Sequence, residues 1–127
     1  MRHPQLLIYR GDARLATQLQ IQIDAGRWLL RKPGDLAECL EMSSRGGLNV
    51  LVLRLGRDLD DELSTVERVH YLAPDTAIIV VGDAEQAAVA GIARDLGAQF
   101  VLFPPLSRDL LPEVVAGFMN PEGVARP

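Results

Sequence analysis

Cysteine, histidine and aromatic residues are scarce in this chain, and each scarcity removes a class of function. Of 127 residues one is cysteine, Cys39, which excludes an intramolecular disulfide and any multi-cysteine metal centre. The two histidines, His3 and His70, stand far apart with no acidic or cysteine partner at ligand spacing, so no metal site is expected. No excess of positive charge is present. Lys and Arg number 13 against 17 Asp and Glu, a net charge of −4, so the basic footprint of a nucleic-acid binder is missing. No apolar run approaches the ~20 residues of a membrane span. The short apolar stretch before Arg10 is too brief for a secretory signal. Ser43, Ser44 and Ser64 lack a Gly-x-Ser-x-Gly elbow, and Gly56 has no phosphate-cradling loop around it. The expectation is one cytoplasmic domain that binds neither nucleic acid nor membrane directly and carries no cofactor and no catalytic residues.

What is abundant is apolar residues, 48% of the chain, arranged in short runs. The runs are Leu6–Tyr9, Trp28–Leu30, Val50–Leu53, Ala77–Val81 and Phe100–Phe103. Apolar residues at consecutive positions mean burial on both faces, as in a parallel sheet covered by helices. Between the runs lie amphipathic segments. Asp12 is placed to cap a first helix with Leu15, Leu19 and Ile23 on one face, ending in a left-handed residue at Gly26. Asp35 caps a second, carrying Leu36, Cys39 and Leu40 and closed by Gly46-Gly47; Cys39 reads as a buried or half-buried apolar residue rather than a nucleophile. A third covers Leu59 to Leu72 with Leu63, Val66, Val69 and Leu72 inward, stopped by Pro74; His70 lies in its last turn, where a cation suits the helix dipole. A fourth covers Ala84 to Leu96 and ends at Gly97. A fifth starts near Ser107, and Pro112 either kinks it or marks its first turn. Five β-then-α units predict a flavodoxin-like three-layer α/β sandwich with a parallel five-stranded sheet of order 2-1-3-4-5. The domain covers residues 1–119, and residues 120–127 read as a tail or linker.

One stretch is more specific: Gly97-Ala98, then Phe100-Val101-Leu102-Phe103-Pro104-Pro105-Leu106, then the segment opened by Ser107. With Ile78-Ile79-Val80-Val81-Gly82 upstream, it resembles the receiver domain of bacterial response regulators over Gln5 to Met119. The resemblance implies a phosphotransfer pocket: two acidic residues after the first strand for Mg²⁺, an Asp at the end of the third, a Thr or Ser after the fourth and a Lys after the fifth. The matching positions are Arg10 and Gly11, Arg54, Gly82 and Pro104, and none carries the required chemistry. The aromatic switch position is Val101. Asp58, Asp60 and Asp61 lie beyond the third strand and do not substitute. Arginines at a metal site repel the cation, so the resemblance implies a pseudo-receiver that is not phosphorylated.

Two readings of the arginines stay open. Arg10 and Arg54 pair with Asp12, Asp58 or Asp83 and close the old pocket, with Asp83 pinning Arg54. Otherwise they form an anion site at the switch point of the sheet, in a regulatory domain that binds a small molecule. Gly11 reads as a turn residue. Receivers commonly dimerise or bind outputs through the fourth and fifth helices, so the resemblance implies a protein partner or a homodimer there. The corresponding residues are Ala87, Val89, Gly91, Val101, Phe103, Val115 and Phe118.

Overall fold

The computed structural model describes residues 3–11, 13–45 and 47–119. Five parallel strands form one sheet in the order β2-β1-β3-β4-β5, the order expected. They are β1 (Gln5–Tyr9), β2 (Leu29–Arg31), β3 (Asn49–Arg54), β4 (Thr76–Val81) and β5 (Phe100–Leu102). The three inner strands are apolar at consecutive positions because helices cover both their faces. Alternate residues serve alternate layers. Leu6, Ile8, Val50, Val52, Ile79 and Val81 meet Leu15, Leu19, Ile23, Val115 and Met119 on one side. Leu7, Leu51, Leu53, Ile78 and Val80 meet Cys39, Val66, Val69 and Ala93 on the other.

The helices are α1 (Ala13–Gln18), α2 (Gln20–Gly26), α3 (Leu36–Ser43), α4 (Leu59–Leu72), α5 (Ala90–Leu96) and α6 (Leu111–Met119). The expected first helix is therefore two, broken at Leu19. Backbone bonds from Leu19 N to Leu15 O and from Ile23 N to Leu19 O carry the ladder across the break, so its three apolar residues still share one face. Its left-handed residue is Arg27 (φ 56°), not Gly26. Gly26 stays helical with the Trp28 indole against it, where a side chain would collide. Trp28 is buried but precedes the second strand, which starts one residue later than expected. The fourth helix begins as a 3₁₀ turn (Ala84–Val89) before α5. Pro112 is the second residue of α6, in its first turn, after a short 3₁₀ turn at Arg108–Leu110 that Ser107 caps.

Asp35 caps α3 as expected, its carboxylate accepting the Glu38 N–H at 2.8 Å. In α4, Val66 and Val69 are buried, whereas Leu63 is only partly so and Leu72 is exposed. Leu72 is the last residue of the helix. The Asp12 cap, Gly46 and residues 120–127 lie outside the described residues.

Cys39 is fully buried in the α3 layer. Burial, with Asp35 and Glu38 adding to it, pushes its thiol up to about 12. A folded-state value raised above the unfolded one means stability is retained below pH 9 and lost as pH climbs toward 12. Native protein should therefore resist iodoacetamide at neutral pH while the urea-unfolded chain reacts. A native thiol alkylated as fast as the unfolded one would contradict the placement.

Candidate functional site

The C-terminal ends of the strands meet at one edge. Register pairs Tyr9 with Leu53, Arg54 with Val81, and Val81 with Leu102. Residues just past these pairs, Arg10, Gly11, Gly82, Phe103 and Pro104, thereby come to the same edge of the sheet as Arg54.

Arg10 follows β1 in the left-handed region, φ 57°, a conformation that costs a non-glycine residue of order 1 kcal/mol. The turn thus falls on Arg10 and not on Gly11. Gly11 is instead pressed against the Ile8 side chain, where a Cβ has no room. Of the expected partners of Arg10, Asp12 lies outside the described residues and Asp58 and Asp83 make no ion pair with it; among the described residues its partner is Glu62, with Nη1 3.6 Å from Oε2. Glu62 lies in the first turn of α4 and is 1% exposed. Both of its oxygens accept the Gly56 N–H at 2.9 Å. The Arg10 guanidinium lies across Gly56.

Which of these contacts matters more follows from exposure. The Arg10 side chain is 50% exposed, so solvent screens its attraction to Glu62, and such pairs contribute up to ~1 kcal/mol. A backbone N–H bonded to a buried carboxylate is charge-assisted and contributes roughly 1.5–3 kcal/mol. The Gly56 bonds dominate, and Arg10 follows.

A second carboxylate is also engaged. Asp83 was expected to hold Arg54, but its ion pair is with Arg108 from the 3₁₀ turn before α6. Arg54 is half-buried and forms no ion pair among the described residues. Gln86 joins two loops. Its Oε1 accepts the Asp83 N–H and its Nε2 donates to Gly56 O, both at 2.9 Å. The loop after β4 is thus tied to the loop after β3.

Gly82 is buried under the Phe103 ring. A side chain at residue 82 would overlap that ring. Pro104 and Pro105 are exposed and joined by a cis peptide.

Arg10 and Arg54 do line one cavity, of about 540 Å³, as their positions predict. Asp83, Glu85 and Arg57 line it too, so it is mixed in charge. A second cavity, of about 190 Å³, opens on the other side of Arg54, between Arg14 and Arg108. Sequence reasoning missed Glu62, Arg14 and Arg108. The acidic cluster Asp58, Asp60, Asp61 and Glu62 reads as a solvated first turn, and no local signal separates its buried member. Among the described residues no group of three or more His, Cys, Asp or Glu could hold a metal ion, and no helix is long and apolar enough to cross a membrane.

Of the residues expected at an interface, Ala87 and Gly91 are exposed and Val89 is half-buried. Val101, Phe103 and Val115 are buried, so these three do not form a surface, whereas Phe118 is half-buried with one side against the core. Val101 and Phe103 point into the α4–α5 layer, and Val115 is the face by which α6 packs on the sheet. The exposed apolar residues of this region are Ile92, Leu106 and Leu110.

No family model and no curated protein matches the sequence. Solved structures do match. The chain is similar to the REC domain of AraT, a response regulator from Geobacillus stearothermophilus, at 22% identity and TM-score 0.67, over 94% of this chain and 95% of that one. It is similar to a response regulator receiver domain protein from Clostridium thermocellum at 12% identity and TM-score 0.70, over 97% and 99%. It is also similar to an adenylate cyclase from Rhodopirellula baltica at 10% identity and TM-score 0.66, over 97% and 94%. The fold is that of receiver domains.

Two stability measurements check the pocket. In urea unfolding, Glu62→Ala should cost about 2–4 kcal/mol by leaving the Gly56 N–H unpaired, while Arg10→Gly stays within about 1 kcal/mol of the parent. A reversed ranking would place the anchor on the ion pair. Gly82→Thr should cost about 2 kcal/mol or more through overlap with Phe103, and part of that cost should vanish in a Phe103→Ala background. Strict additivity of the two changes would refute the contact.

Proposed function

We propose that this chain is a pseudo-receiver: a signalling module that keeps the receiver fold, is not phosphorylated, and acts through protein–protein contacts in bacterial signal transduction or transcriptional regulation. One observation carries the reading. The central strand β3 ends in Arg54, a cation at the place where a receiver needs a nucleophilic carboxylate. The surroundings support it. Arg10 and Gly11 offer no oxygen ligands for Mg²⁺. Glu62 and Asp83 are committed to Gly56 and Arg108. The Phe103 ring fills the place of the hydroxyl residue.

On this reading the module is no enzyme, and the buried Cys39, its thiol value raised, is not a nucleophile. It works in the cytoplasm without direct contact to nucleic acid or membrane. Its partner is a protein or a second copy, met by the exposed residues Ala87, Gly91 and Ile92 after β4 and Leu106 and Leu110 after β5. The crosslink from Gln86 to Gly56 fits one fixed conformation in place of a switch.

The test is intact mass after incubation with acetyl phosphate and Mg²⁺. The mass should not change, and Arg54→Asp should not restore labelling, because the metal ligands after β1 are missing as well. A gain of one phosphoryl group by the parent chain would overturn the assignment.

A further inference from the structure

The cavity of about 190 Å³ differs in kind from the one that Arg10 lines. Its rim is cationic. Arg14 comes from α1, Arg54 from the end of β3 and Arg108 from the 3₁₀ turn before α6, and among the described residues the lining holds one carboxylate, Asp109. Its walls are apolar: Leu15, Val52, Val81, Leu111 and Pro112. Three arginines line it in a chain whose net charge is −4. An anion seated among them would be attracted by all three.

We propose that this cavity binds a small phosphomonoester, the phosphate against the three arginines and a short apolar arm against the valines and Pro112. Arginines from three separate elements can donate to a tetrahedral oxyanion from three directions, which suits it better than a planar carboxylate. Arg108 remains able to contribute. A guanidinium has five N–H donors, and Asp83 meets it at one nitrogen, which leaves the side chain oriented with donors to spare. The size sets a limit on the arm. The cavity is smaller than the ~300–1,000 Å³ of sites for drug-sized ligands. The location is also where open α/β sheets hold ligands, outside the carboxyl ends of strands at a change of strand order. This inference does not depend on the interaction-module reading. That reading fails on a covalent mass gain, whereas this one is read by reversible binding.

The experiment is calorimetric titration of the full chain, at constant ionic strength, with phenyl phosphate, inorganic phosphate and succinate. Phenyl phosphate should bind saturably and more tightly than inorganic phosphate, and succinate more weakly than either. Arg54→Gln and Arg108→Gln should each weaken phenyl phosphate by about tenfold or more. Arg57→Gln, outside the cavity, should leave the affinity unchanged. Unliganded melting curves identify any variant that has failed to fold, and the other arginine variant then supplies the reading. Absence of saturable binding, tighter binding of succinate, or equal affinity in a folded arginine variant would each overturn the proposal.

Discussion

A buried carboxylate organises the C-terminal edge of this sheet. Glu62 sits at the start of α4 with its oxygens turned inward to the Gly56 N–H, and that bond decides where the loop after β3 runs. With Gly56 fixed, its carbonyl accepts from Gln86, which places the loop after β4. The same Gln86 holds the Asp83 backbone, and the Asp83 side chain reaches Arg108 ahead of α6. Arg10 completes the series by lying across Gly56 with its guanidinium near Glu62. Four connections are thereby joined by polar contacts that begin at one side chain.

The contacts differ in strength, and the differences explain the layout. Surface pairs such as Arg108 with Asp83 are screened and fix geometry more than they add stability. The buried bonds at Glu62 are worth more, because an unpaired carboxylate in the core would be costly. The Phe103 ring over Gly82 acts by volume and excludes any side chain from that position. Glu62 and Asp83 are thus both engaged, and the ring covers Gly82.

Much of the fold was legible in the residues. Consecutive apolar positions in β1, β3 and β4 imply cover on both faces, and the alternation of strands and helices leads to the observed order. Errors came where a local signal had two solutions. Gly26 and Gly11 were natural choices for left-handed turns, but Trp28 and Ile8 press on them and the turns moved to Arg27 and Arg10. Val101, Phe103 and Val115 carry the apolar character of either a core or an interface, and packing made them core.

The site was legible by position and not by partner. That arginines stand at the ends of β1 and β3 follows from the sequence alone, since chain order and a parallel sheet bring those ends together. The sequence alone thus determined the layers, the strand order and the arginines at the ends of β1 and β3, because these depend on periodicity and on residue type. Only the tertiary structure decided that Glu62 turns inward, that Asp83 takes Arg108, and that Arg14 joins Arg54 and Arg108 at one cavity. Pairing is a long-range choice among several carboxylates and arginines with the same local signature. It is settled by where the packed helices and loops place each side chain.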